Sequence, residues 1–195
     1  VKRYVFGTPS PVMIAKVRAV LPRLTGPVLR YGLDDPEADL RAVQVQALPG
    51  GGMQFVVQRR GGSDLPITLN LAGVHNVRNA LAAIAVAHAA AIPVATIAEG
   101  LLQFKGVKRR LEIFGEAGGV TVYDDFAHHP TAIAETLAGL RAANPHRRIW
   151  AIFEPRSASS SRRVFQQEFA RAFGPADEVV IAPVYRTNLS EGERL

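Results

Sequence analysis

Hydrophobic positions change period along the chain. Between Val43 and Leu71 they alternate, and Val43-Gln-Val-Gln-Ala47, Met53-Gln-Phe-Val-Val-Gln58 and Ile67-Thr-Leu-Asn-Leu71 each read as a half-buried strand. Gly50-Gly-Gly52 and Arg60-Gly-Gly-Ser-Asp64 are turns between them, which predicts an antiparallel meander before residue 72. Val28-Leu-Arg-Tyr31 is a short strand ahead of it, followed by an Asp34-Asp-Pro36 turn. Further upstream, Gly7-Thr8-Pro9 reads as a loop, and Val12 to Leu21 as a short helix stopped by Pro22. After Gly73 the period lengthens. A helix is predicted from about His75 to Ala90, and a second from Thr96, where Glu99 completes a capping box. Ile97, Leu101, Leu102 and Phe104 are its expected core positions.

Past residue 118 strands and helices alternate. Strand Val120–Tyr123 leads to helix Pro130–Ala143, and strand Arg148–Phe153 leads to helix Ser161–Phe173, which is expected to bury Val164, Phe165, Phe169 and Phe173. Strand Glu178–Ala182 closes the series. This order implies right-handed crossovers and a parallel sheet, so the chain is α/β with a meander-and-helix half before it. The three strands would end at one edge and deliver three loops there: Asp124–Pro130, Glu154–Ser161 and Pro183–Asn188.

Those loops carry the candidate chemistry. Between strand and helix stand two carboxylates, Asp124 and Asp125, and two imidazoles, His128 and His129. The carboxyl edge of a parallel sheet is where open α/β folds bind ligands, and a helix N-terminus favours phosphate. The plainer alternative is that Asp125 and His129 only cap the helix. Arg156, Arg162, Arg163 and Arg186 make the same edge basic, which suits a carboxylate or phosphate. Ser159, Ser160 and Ser161 read as helix caps. Asn76 and Asn79, three apart in a first helical turn, share a face and offer paired donors and acceptors to a nucleobase edge; the plainer alternative is that His75 or Asn76 simply caps the helix. Lys105-Gly-Val-Lys-Arg-Arg-Leu-Glu112 changes composition abruptly and reads as an inter-domain linker. Its Lys108, Arg109 and Arg110 are either a solvated charge run or a grip on phosphate across a cleft.

Composition narrows the choice. The 195 residues are 48% hydrophobic, enough for one large domain or two small ones. There is no cysteine, so disulfides and thiolate metal sites are excluded, in keeping with a cytoplasmic setting. The Ala-rich run from Ala80 to Ile92 is too short to span a membrane, and Lys2 and Arg3 precede no signal-like apolar stretch. The net charge of +6 suits anionic ligands such as nucleotides. No basic run is interleaved with aromatics, so no nucleic-acid or membrane partner is expected.

Three stretches resemble the Mur ligases of bacterial peptidoglycan synthesis: Gly73-x-His-Asn-x-x-Asn-Ala80, Phe104-Lys-Gly-Val-Lys-Arg-Arg-Leu-Glu112 and Tyr123-Asp-Asp-Phe-Ala-His-His-Pro-Thr131. The resemblance covers about residues 20 to 195. It implies an ATP- and Mg2+-dependent, amide-forming enzyme that joins an amino acid or peptide to a UDP-N-acetylmuramoyl acceptor through an acyl phosphate. It implies the end of a central ATPase domain over 1–108 and the first part of a Rossmann-like C-terminal ligase domain over 109–195. Asn76 and Asn79 match the pair that contacts adenine, and Arg110 the arginine that reaches the ATP phosphates. Asp125 matches the aspartate near the ribose, with His128 after it; Arg156 and Ser157 lie where the incoming amine substrate is expected. The phosphate loop and the magnesium ligands of the family have no match here and are expected upstream, so the piece is not expected to turn over alone. Within the family, Lys108-Arg-Arg-Leu-Glu112, Asp124-Asp-Phe-Ala-His-His-Pro-Thr131 and Phe153-Glu-Pro-Arg-Ser157 resemble most the muropeptide-recycling member, which uses L-alanyl-γ-D-glutamyl-meso-diaminopimelate. The meander and Leu69-Asn-Leu-Ala-Gly-Val-His-Asn76 resemble equally the L-alanine-adding member, so ligation of the tripeptide is the main expectation and ligation of L-alanine its alternative. Outside the family, a non-catalytic nucleotide- or nucleic-acid-binding module is the competing reading.

Overall fold

A computed structural model describes residues 4–7, 11–49, 51–157 and 160–184. The chain forms two compact units, Val1–Lys105 and Gly106–Leu195. Of the loops expected to carry chemistry, residues 158–159 and 185–188, with Arg186, lie outside the described residues, as do Thr8 and Pro9 of the first loop.

The first unit is a five-stranded sheet ordered β1 (Tyr4–Gly7), β2 (Val28–Gly32), β3 (Leu40–Leu48), β4 (Gly52–Arg59), β5 (Leu65–Leu69). The expected meander is β3-β4-β5, paired antiparallel. The antiparallel expectation fails before it: β1 pairs with β2, and β2 with β3, in parallel. The second pairing needs no long crossover, because only Tyr31 and Gly32 at the end of β2 meet Leu40 and Arg41 at the start of β3. The chain sidesteps through the Asp34–Pro36 turn instead of returning. Gln44, at a φ of 53°, makes a bulge in β3 that interrupts the alternation after Val43.

Helix α1 (Pro11–Val20) runs into a 3-10 turn that holds Pro22. Helices α2 (Val74–Ala89) and α3 (Val94–Gln103) pack on the sheet, α2 across β1 to β4 and α3 on β5. Phe55, Val57 and Ile67 from the sheet meet Val77, Leu81 and Ile84 from α2 in one core. Each large apolar side chain buried there contributes about 1.5–3 kcal/mol. α3 begins at Val94 behind Pro93 rather than at Thr96, and Glu99 accepts from Gln103 Nε2 at 3.0 Å, so the capping box is not made. Ile97 is buried, but Leu102 and Phe104 are exposed: Leu102 is a helical step off the inward face, and Phe104 lies past the last turn.

The second unit opens with a hairpin, β6 (Glu112–Ala117) against β7 (Val120–Asp124), closed by Gly118 and Gly119 at φ of 56° and 78°. Left-handed values at both positions suit a two-residue hairpin loop. α4 (Pro130–Ala143) follows, then β8 (Trp150–Phe153), α5 (Gln166–Ala172) and β9 (Glu178–Ile181). β8 and β9 pair in parallel. β7 pairs with β6 and not with β8, so the continuous three-stranded sheet does not form among the described residues. Ile133, Leu137, Ala151, Phe153, Phe169 and Phe173 form the core. The predicted helix from Ser161 is shorter than expected. Residues Arg163–Phe165 are 3-10, whose tighter winding rotates Val164 out of the core, leaving it 68% exposed. No helix among the described residues is long and apolar enough to cross a membrane.

Arg141 of α4 bolts this unit together. It donates to the carbonyls of Pro175 and Arg147 and to Asp177 Oδ2, which also accepts from the Ile149 N–H at 2.7 Å. The Ile149 N–H, then Arg141, holds the Asp177 carboxyl below its ordinary value. A depressed carboxyl adds stability above the ordinary carboxylate range and loses it as pH falls through the folded value. Asp177→Asn is therefore expected to lower the melting temperature at neutral pH, with the gap to wild type closing in acid. A gap that stays constant down to acid pH would contradict this.

Candidate functional site

Two regions carry the candidate residues, one in each unit. In the first, Gly73 at a φ of 96° turns the chain into α2, which has no side-chain cap. Asn76 Nδ2 donates to the Ala72 carbonyl at 2.8 Å, and Asn79 Nδ2 donates to Asn76 Oδ1 at 3.3 Å. The two amides are thus tied to each other and to the chain just before the helix. Asn76 is half-buried and Asn79 exposed.

In the second unit a cleft of about 1170 Å³ runs between β7 and β8. Asp125, His128, Arg156 and Ser157 all line it. This is the juxtaposition expected of loops at one sheet edge, although the sheet itself is split. Arg162 and Arg163 do not line it. Asp125 is a hub: Oδ2 accepts from the Leu111 N–H at 2.8 Å, and Oδ1 from the Ala127 N–H at 2.7 Å and Thr136 Oγ1 at 3.5 Å. It braces the loop and does not cap α4. His129 is the cap, its Nδ1 accepting from the Thr131 N–H at 3.4 Å. His128 Nδ1 lies 3.0 Å from the Phe126 carbonyl. A carbonyl only accepts, so this contact places the proton on Nδ1 and leaves Nε2 as an acceptor in the neutral ring.

The stretch predicted as a linker is folded onto the same loop. Arg109 and Leu111 adopt left-handed φ values of 59° and 50°, a strain of about 1–3 kcal/mol each for non-glycine residues. Asp124 and Asp125 hold them there, through an Arg109 Nε to Asp124 Oδ2 contact at 3.2 Å and the Leu111 bond already given. Arg110, between the two, is exposed. The Lys108–Arg110 run is therefore neither uniform nor simply solvated. Sequence reasoning passed over Asp124's bond to Arg109 and over β6. The Gly118-Gly119 pair between two extended runs was the available signal for that hairpin.

Arg156 Nε lies 3.6 Å from Glu154 Oε2, with both side chains largely exposed. Ser157 is knotted into its own loop: its N–H donates to Ser160 Oγ, and its hydroxyl exchanges contacts with the Ser160 hydroxyl and N–H at 2.7 and 3.0 Å. Ser160 and Ser161 are fully buried and brace this turn, and no α-helix starts at them. Among the described residues no three His, Asp or Glu side chains gather as a candidate metal site.

Two family models match the chain: Mur ligase middle domain over residues 11–87, and Mur ligase, glutamate ligase domain, over residues 109–194. Among curated relatives, the UDP-N-acetylmuramate–L-alanine ligase of Leptothrix cholodnii is 45% identical over 177 residues, covering 87% of this chain and 37% of that protein. The chain thus spans little more than a third of the length of the curated relatives it matches. Among solved structures, the UDP-N-acetylmuramate–alanine ligase of Thermotoga maritima superposes with a TM-score of 0.69 at 30% identity, covering 80% of this chain and 34% of that one. The murein peptide ligase of Psychrobacter arcticus gives 0.61 at 32% identity, covering 91% and 36%. The expectation of the recycling member is less well supported than its L-alanine alternative, because the similar curated sequences carry the L-alanine name. With the middle domain matched over one unit and the ligase domain over the other, the chain belongs to the Mur ligase family.

Proposed function

We propose that this chain supplies the nucleotide-side and amine-side surfaces of an ATP-dependent, cytoplasmic ligase that adds L-alanine to UDP-N-acetylmuramate. The 45% identity to ligases of that name carries the reading. The chain divides at 108/109 in this reading, into the C-terminal part of the ATP-binding domain and the first part of the ligase domain. ATP supplies the phosphoryl group that activates the acceptor carboxylate as an acyl phosphate; its magnesium is held by residues upstream.

The residues of this chain position and neutralise. Asn76 and Asn79 hold adenine, and their mutual hydrogen bond supports this by fixing both amides before a base arrives. Arg110 meets the phosphates, while Asp125 and His128 face the ribose side. Arg156 and Ser157 face the amine substrate, Arg156 forking onto its carboxylate. The shared cleft of Asp125, His128 and Arg156 supports placing nucleotide and amine on one side of the second unit.

A second reading is the recycling ligase, favoured by the Psychrobacter arcticus murein peptide ligase matching 91% of this chain. The assay that separates them is ATP-dependent phosphate release by the complete ligase carrying this chain, with UDP-N-acetylmuramate and either L-alanine or L-alanyl-γ-D-glutamyl-meso-diaminopimelate. Turnover with L-alanine, at least ~100-fold above the tripeptide in kcat/KM, is expected for a site built for the smaller amine. The opposite preference establishes the recycling reading, and turnover with neither removes both.

A further inference from the structure

Phe126 stands between the two acids and the two histidines and takes no part in the function proposed above. Its side chain is 48% exposed, yet three polar groups pack on the ring. The Arg109 guanidinium lies 5.2 Å from the ring centroid and that of Arg110 5.7 Å; the His128 ring meets it edge-on at 5.1 Å. Both guanidinium distances are within the range at which a ring face attracts a cation.

The two arginines differ in everything else. Arg109 is neutralised by Asp124. Among the described residues Arg110 has the ring face and no carboxylate within ion-pair distance. Its backbone neighbours are the two left-handed residues, and Phe126 pins one of them directly, donating its N–H to the Arg109 carbonyl at 2.8 Å. One residue therefore holds the strained segment through its main chain and the uncompensated cation through its ring.

We propose that Phe126 is a positioning residue, whose ring sets the Arg110 guanidinium for an anionic phosphate while its N–H fixes the segment that carries it. This rests on the assignment of Arg110 to the phosphates of ATP. A ring that merely covered the loop would have no reason to distinguish the two substrates of the reaction.

The test is initial-rate kinetics on the complete ligase carrying this chain, with ATP and the amine varied separately, for wild type, F126L, F126W, R110A and the F126L/R110A double variant. F126L is expected to raise the KM for ATP about three- to five-fold, the scale of an exposed cation–π contact, and to leave the amine KM within about two-fold. F126W restores the wild-type value, and F126L adds nothing to R110A in the double variant. F126M gives the same comparison where F126L is unstable. Full additivity, equal effects on both substrates, no rescue by tryptophan, or a lowered melting temperature with an unchanged KM for ATP each overturn the role of Phe126. A wild-type KM for ATP in R110A is a different failure: it removes the phosphate reading of Arg110, and the positioning role with it.

Discussion

Arg110→Ala in the complete ligase is expected to weaken ATP binding by about ten- to hundred-fold, the loss that follows when a charged hydrogen bond worth about 1.5–3 kcal/mol is removed. Arg109→Ala, one residue away and of equal charge, is expected to change it less than about five-fold. Arg109 is an exposed partner of Asp124, and exposed pairs contribute about 0–1 kcal/mol. The contrast is the informative part. A solvated charge run acts through its total charge, and either deletion would then weaken ATP alike. Nucleotide titration of the two variants decides between them: equal losses, or none for Arg110, would remove its assigned role. The asparagines give a smaller and less clean signal. Asn79→Ala removes about one neutral hydrogen bond, on the order of 1 kcal/mol. Asn76→Ala also breaks the bond to the Ala72 carbonyl, so part of its effect belongs to the start of α2.

What could be read from the sequence was what local period and local chemistry decide. The meander showed because Met53, Phe55 and Val57 alternate with polar neighbours and point into one core. α4 showed because Pro130, Ile133 and Leu137 combine a start signal with one face, and all three are buried. Partner choice between strands is non-local and did not show. Nothing within Val28–Tyr31 distinguishes a parallel neighbour from an antiparallel one, and the split between β7 and β8 leaves both strands with the residues of a buried parallel sheet. Val164 faces solvent because it sits in a 3-10 turn, where the 3.6-residue period of an α-helix does not hold.

The candidate site was legible as a set of residues and not as a set of partners. Asp125, His128 and Arg156 do share a cleft, as residues following β7 and β8 should. Their hydrogen bonds depend on main-chain groups that have no identity in the sequence: the N–H groups of Leu111 and Ala127 for Asp125, and the Phe126 carbonyl for His128. The same limit hid the different partners of Arg109, which meets Asp124 and the Phe126 ring, and of Arg110, which meets the ring.

Arg156→Lys is expected to raise the KM for the amine substrate about ten-fold and to leave the KM for ATP within about two-fold. The reasoning turns on geometry at constant charge. A guanidinium gives two parallel N–H bonds to a carboxylate, and an ammonium gives one directional contact and a more strongly hydrated charge. Losing the second bond costs about 1–1.5 kcal/mol, which is the ten-fold. The structure also contains the competing explanation, the Arg156–Glu154 pair at 3.6 Å. With the two side chains 60% and 46% exposed, that pair is a weak brace, and lysine preserves its charge. Bracing therefore predicts a small change in stability and none in the amine KM. Glu154→Gln completes the comparison. If Arg156 only braces its loop, removing the Glu154 charge should mimic Arg156→Lys. If Arg156 grips the substrate carboxylate, Glu154→Gln removes one carboxylate that competes for the guanidinium, and the amine KM should hold or fall. Arg156→Lys with a normal amine KM and a lowered melting temperature would make the residue structural.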